Sequence, residues 1–171
     1  MKNLKILISL IIIIALTLFC AAALFSCGKE SEINIDLQDL ANIIGEKIDL
    51  SNYEPYSLDK IRDDFGITQD DTVQIVALKD VDVLSAEMLI FIEAKDKETV
   101  EKIETKIKTF KTYKLNELKD YTLNPDNERQ YYIVEDAEII IEQNYVFWAA
   151  QNQSKEINDI IKDYIKNSKT K

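Results

Sequence analysis

No histidine occurs in the 171-residue chain. That single absence excludes Ser-His-Asp and Cys-His nucleophilic catalysis, the HExxH zinc helix and most transition-metal sites. Cysteine is nearly as scarce. Cys20 and Cys27 are the only two, so a domain built from the rest of the chain has no internal disulfide, thiol nucleophile or thiolate metal site. The three glycines, Gly28, Gly45 and Gly66, stand too far apart to form a phosphate-cradling loop. Scarce Gly and Pro beside abundant Ile, Leu and Val describe packed helices and strands rather than disorder. Positive charge is also short, at 21 basic against 31 acidic residues, a formal net charge of −10. Such a surface repels phosphate backbones and anionic lipid, so no nucleic-acid partner is expected. No cofactor and no metal ion is implied by the residue types present.

What the chain does have begins at its N-terminus. Lys2 and Lys5 precede twenty uncharged, mostly apolar residues from Ile6 to Phe25, the pattern of an export signal. Leu24-Phe25-Ser26-Cys27-Gly28 resembles a bacterial lipobox, with Phe25 filling a position that is usually small. The resemblance implies cleavage between Ser26 and Cys27 and a diacylglyceryl group on the Cys27 thiol. Two chains anchor stably where one holds only marginally. Two other fates remain open. Twenty helical residues span roughly 30 Å, enough for an uncleaved transmembrane anchor, and Ala21-Ala22-Ala23 offers an A-x-A cleavage site that releases the domain. Lysines before the apolar run leave the N-terminus in the cytoplasm in each case. The expected location is therefore the extracytoplasmic face of the cell membrane.

Residues 1–26 thus read as a lipoprotein signal peptide, 27–35 as a lipid-anchored polar tether and 36–168 as a single α+β domain. Taking away 1–26 removes Lys2 and Lys5 and no acid, leaving 19 basic against 31 acidic residues, a net −12. Leu37, Leu40, Ala41, Ile44 and Ile48 have helical spacing behind Asp36, a plausible N-cap. Tyr53-Glu54-Pro55-Tyr56 reads as a turn. A second short helix carries Leu58, Ile61 and Phe65 between the cap Ser57 and the stop Gly66. Strands are expected over 73–78 and 86–94, the latter apolar on both faces and therefore central. Asp96 opens a long helix striped by Val100, Ile103, Ile107 and Phe110. Asn124-Pro125 starts another helix, to about Glu135. Strands 137–142 and 145–150 form a hairpin across Gln143-Asn144, with the asparagine suited to positive φ. A last helix carries Ile157, Ile160, Ile161, Tyr164 and Ile165. Phe91, Val100, Ile103 and Ile107 echo Trp148, Ile157, Ile160 and Tyr164 at an offset of 57. The expectation is a four-stranded, mainly antiparallel sheet of two β-β-α-like units packed with helices, preceded by two N-terminal helices.

Taken in order, the lipobox, Phe65-Gly66-Ile67, Asp70-Asp71, Ser85-Ala86-Glu87, Asp96 before a long helix, and Asn144-Tyr145 at a hairpin resemble one family. They are similar to uncharacterised lipoproteins of Gram-positive, mainly clostridial bacteria that carry a domain of unknown function, DUF 4358. The likeness spans about residues 33 to 167. It implies an envelope lipoprotein and brings no activity, substrate or site residues with it.

Several constellations bear on function. Asp63-Asp64, Asp70-Asp71 and Asp80 with Asp82 lack the spaced loop, glycine and closing glutamate of a calcium hand, so they read as solvated loop charge. Glu87 and Glu93 flank an apolar strand and are the candidates for paired-carboxylate glycoside chemistry. Tyr53 and Tyr56 are candidates for an exposed aromatic binding surface, against the commoner role of closing a core edge. Tyr131-Tyr132 poses the same question, and Trp148 reads as core. The expected function is a non-catalytic binding or structural module of the cell envelope, more an anchored domain than an enzyme, with a protein or envelope polymer as partner. The alternative is a carboxylate-based enzyme, or an accessory to envelope polysaccharide modification.

Overall fold

A computed structural model describes residues 33–119 and 125–169. Among these residues, five α-helices, one short 3-10 helix (Gln69–Asp71) and five strands form the regular elements, with helices on both faces of one antiparallel sheet. Helix α1 is Leu37–Gly45, β1 Tyr53–Pro55, α2 Leu58–Phe65, β2 Thr72–Asp80, β3 Met88–Ala94, α3 Lys97–Lys119, α4 Pro125–Asp136, β4 Ile139–Glu142, β5 Tyr145–Ala150 and α5 Ser154–Ser168. The strand order is β1-β2-β3-β5-β4. No helix among the described residues is long and apolar enough to cross a membrane.

The alternation of side chains along β3 and β5 builds two cores from one sheet. Met88, Ile90, Ile92 and Ala94 join Val146, Trp148 and Ala150 on one face, covered by α2, α3 and α4 through Phe65, Ile103, Ile107, Phe110 and Val134. Leu89, Phe91, Tyr145, Phe147 and Ala149 point to the other face, covered by α1 and α5 through Leu40, Ile44, Ile157 and Ile161. Both faces of β3 are dry, and it is the middle strand of the five.

Local signals hold the helix ends. The Asp36 carboxylate accepts from the Gln38 and Asp39 amides, Ser57 Oγ accepts from the Lys60 amide, and Asp96 accepts from the Thr99 amide at 2.8 Å. Gly66 ends α2 at φ 68, a left-handed conformation that glycine adopts without steric cost. Lys111 of α3 donates to the Glu135 and Ala137 carbonyls at 2.8 and 2.7 Å, a cation at the C-terminal dipole of α4. Asn124, the proposed cap of α4, lies outside the described residues.

The sheet has five strands where the sequence leads one to expect four. The additional strand is Tyr53–Pro55, in the stretch that reads as a turn, paired antiparallel with Leu78–Asp80. Three residues are too few to show a period. Pro55 is tolerated because β1 is an edge strand. The two N-terminal helices are present over 37–45 and 58–65, with this strand between them. At the β4–β5 turn the positive φ, 51°, belongs to Gln143 rather than to Asn144.

The tether reading also meets a buried stretch. Ile33 and Ile35 belong to the core. Gln143 Oε1 accepts from the Ile33 amide at 3.1 Å, and the Tyr145 hydroxyl oxygen accepts from the Ile35 amide at 3.1 Å. Residues 33–35 are thus bound into the domain.

The two β-β-α units do lie side by side, as β2-β3-α3 and β4-β5-α5. Their helices, however, cover opposite faces of the sheet. A rotation that superposes one hairpin on the other preserves the face, so the two units are not related by rotation. Phe91 and Trp148, matched by the offset of 57, accordingly point to opposite cores.

Candidate functional site

Three chain segments converge at one end of the sheet: the start of β1, the residues leading into β3, and the residues leaving β5. Glu87 sits at their centre, 7 % exposed, just before a strand whose next five residues are buried. A buried carboxylate is costly unless it is paired and hydrogen-bonded. Here Tyr53 donates its hydroxyl to Glu87 Oε2 at 2.6 Å, and Arg129 Nη2 lies 3.4 Å from Glu87 Oε1. Burial, then the bond to Glu87, push the Tyr53 phenol well above its ordinary range. Helix α4 reaches the same segment once more, where Gln130 Oε1 accepts from the Ala86 amide at 2.8 Å. Ser85 Oγ accepts from the Glu87 amide at 3.1 Å.

Arg129 carries this arrangement outward. It borders a cleft of about 390 Å³ between α4 and the turn that joins β5 to α5, within the size range of small-ligand sites. Tyr132, Glu128 and Asp136 line one wall, Gln151, Asn152 and Ser154 the other, with Ile133 at the apolar base. Gln151 is buried, and its side-chain oxygen accepts from the Gln153 amide. Tyr132 is half exposed and stands edge-on to Tyr131, ring centroids 5.7 Å apart.

The expected site residues fall differently. Tyr56 is a core residue, 8 % exposed, its hydroxyl donating to Asp64. Lys60 and Lys79 lie over its ring, 5.6 and 5.5 Å from the centroid. Tyr53 is half-buried and committed to Glu87, so the two tyrosines do not form an exposed platform. Glu87 and Glu93 stand at opposite ends of β3, about 20 Å apart at roughly 3.3 Å per residue. Glu93 accepts from Gln74 Nε2 at 2.8 Å, and Gln74 in turn receives the incoming chain by accepting from the Leu37 amide at 3.3 Å. The separation is too large for two carboxylates to flank one glycosidic bond. Glu128 and Asp136, both in the cleft, are eight residues apart on α4, about 12 Å along its axis.

The acidic clusters have structural partners. Asp63 pairs with Arg62, Asp64 with Tyr56, and Asp80 and Asp82 cap the amides of Asp82 and Leu84 in the β2–β3 loop. Asp71 is buried, with Lys102 Nζ at 2.7 Å and Lys106 Nζ at 3.6 Å. No group of three or more potential metal ligands occurs among the described residues.

Sequence reasoning missed Arg129, Gln151 and the cleft. Their available signal was weak: Arg129 is one of very few arginines in a lysine-rich chain, and arginine is the residue suited to fixed pairing with a buried carboxylate. A family model described as "Domain of unknown function (DUF4358)" matches residues 46–151. The match takes in all five strands and α2 to α4, and omits α1, α5 and Cys27. It is shorter than the span of 33 to 167 over which the motifs resemble that family. No curated protein and no solved structure matches the chain.

Proposed function

We propose, for a chain that belongs to the DUF4358 family, a lipid-anchored binding module on the extracytoplasmic face of the cell membrane. Its anchor is a diacylated Cys27 after cleavage between Ser26 and Cys27, and its ligand is a protein or polymer of the envelope. One observation carries this reading: the point where the chain enters the domain and the cleft lie at opposite ends of the sheet. Ile33 is bonded beside Tyr145, the first residue of β5, whereas Gln151 of the cleft directly follows the last. Six peptide units separate Cys27 from Ile33, a reach of about 20 Å at most in any conformation. An anchor at Cys27 is thus joined to the domain at the end of the sheet that carries the β4–β5 turn. The cleft lies about 20 Å further along β5. The acidic excess works in the same direction by repelling anionic headgroups.

The separation of Glu87 from Glu93 argues against those two carboxylates acting as a catalytic pair. The test uses the absence of cysteine downstream of Cys27. An Asn152→Cys variant of the full chain, treated in intact cells with a membrane-impermeant maleimide, is expected to be modified without lysis. Modification only after lysis contradicts the reading.

A further inference from the structure

We infer that the cleft beside Arg129 is a saccharide site that takes a neutral, β-linked hexopyranose unit, stacked on Tyr132. This rests on the binding reading above and gives its ligand a chemical class. The side chains bordering the cleft are of the kinds that read hydroxyl groups. Carboxylates accept, a guanidinium and an amide NH₂ donate, and the Tyr and Ser hydroxyls do both. Sugar hydroxyls also donate and accept, so adjacent pairs of them match both halves of this set.

The cleft is also set apart by what its side chains are not doing. Glu128, Tyr132, Asn152 and Ser154 make no side-chain hydrogen bond or ion pair among the described residues, and the pair to Glu87 is the one ion pair of Arg129. Buried Glu87, itself bonded to Tyr53, pairs with one nitrogen of the exposed guanidinium at 3.4 Å and leaves its remaining donors for a ligand. Tyr132 supplies an exposed ring whose direction is set by the edge contact with Tyr131. A β-linked hexopyranose has a flat face of C–H bonds that suits such a ring. The volume, about 390 Å³, is in the range of small-ligand pockets.

Charge discriminates among ligand classes. Glu128 and Asp136 on the rim of a net-acidic domain disfavour an anionic polymer. In a cationic peptide the side-chain ammonium groups offer only donors, and the acceptors are backbone carbonyls spaced along the chain rather than the adjacent donor and acceptor hydroxyls of a sugar ring. A neutral sugar leaves neither set unmatched.

The test is calorimetric titration of the full chain in detergent micelles with chitotetraose, cellotetraose, tetralysine and a tetragalacturonate. One or both neutral tetrasaccharides are expected to bind. Tyr132→Ala and Arg129→Gln are each expected to weaken that binding about tenfold or more, the equivalent of about 1.4 kcal/mol, and Tyr132→Phe to retain it. Unchanged Trp148 fluorescence in each variant establishes that the fold is intact. Failure of folded wild-type protein to bind either neutral sugar overturns the inference, as does binding that Tyr132→Ala leaves unaltered. Preference for tetralysine or tetragalacturonate overturns the ligand class while leaving the binding module standing. Loss of the envelope location, read by maleimide modification at Asn152→Cys, is a separate failure.

Discussion

At the scale of single residues, Asp71 and Glu87 pose the same problem, a carboxylate out of water, and solve it with different partners. Burial alone raises the Asp71 carboxyl. Lys102 at 2.7 Å, the Thr68 amide and hydroxyl, and Lys106 outweigh it and hold the group well below the usual carboxylate range. Because the folded value is depressed, the stabilisation is fully present above about pH 4 and is lost as pH falls toward the folded value. Asp71→Asn is expected to destabilise the domain by about 2–4 kcal/mol at pH 7. It should also flatten the loss of stability between about pH 4 and pH 2. Urea titrations followed by Trp148, the only tryptophan, measure both effects; equal acid sensitivity in the two proteins contradicts the assignment. Tyr53 gives the opposite sign. Its raised phenol favours the neutral form, so its contribution is full below about pH 10 and lost on further alkalinisation. Tyr53→Phe, which leaves Glu87 with Arg129 alone, is expected to cost about 1.5–3 kcal/mol by urea titration at pH 7. The roles of Asp71 and Glu87 were not legible in the sequence, since among 31 acids nothing local marks which ones fold inward. The glycine stop at Gly66 and the helix-opening residues Asp36, Ser57 and Asp96 were legible because each acts locally, Gly66 through its own left-handed backbone and the other three on amides two or three residues away.

At the scale of elements the same distinction between local and distant causes holds. Helices α1, α2, α3 and α5 show an apolar stripe, α4 is marked by Asn124-Pro125, and the four longer strands by apolar runs. Strand β1 shows no such mark, and exists because Leu78–Asp80 offers it an edge. Residues 33–35 read as tether because their burial depends on Gln74, Gln143 and Tyr145, far along the chain. The face of the sheet that contains Phe91 and Phe147 is covered by α1 and α5, and both helices lie outside the 46–151 family match. Tyr164 of α5 ties them together by donating to Asp39 at 2.8 Å, and burial, with that bond, pushes its phenol up to about 12. A chain cut to residues 46–151 exposes Leu89, Phe91, Phe147 and Ala149 together. It is expected to aggregate or to lack cooperative unfolding, whereas residues 33–169 unfold in one transition. Cooperative unfolding of the shorter piece contradicts the assignment of α1 and α5 as structural. Within α5, Ile161→Ala is expected to cost about 2–5 kcal/mol, read as a shift in the urea midpoint, because Ile161 is fully buried against this face.

At the scale of the whole molecule, the sheet separates two ends with different tasks. One end receives the chain through Gln74, Gln143 and Tyr145; the other holds Glu87, Arg129 and the cleft. That division was beyond sequence reading, because each end is assembled from residues that are neighbours only after β5 is inserted beside β3. The histidine-free, cysteine-poor composition and the N-terminal apolar run were legible at once, because each is read from the residue types alone. The proposed function gives Cys27 one role, to carry the lipid. Metabolic labelling with a tagged fatty acid, comparing the full chain with Cys27→Ala, tests that role most directly. Label on the unsubstituted chain and none on Cys27→Ala is the predicted result; no label on the unsubstituted chain, or equal label on both, contradicts it.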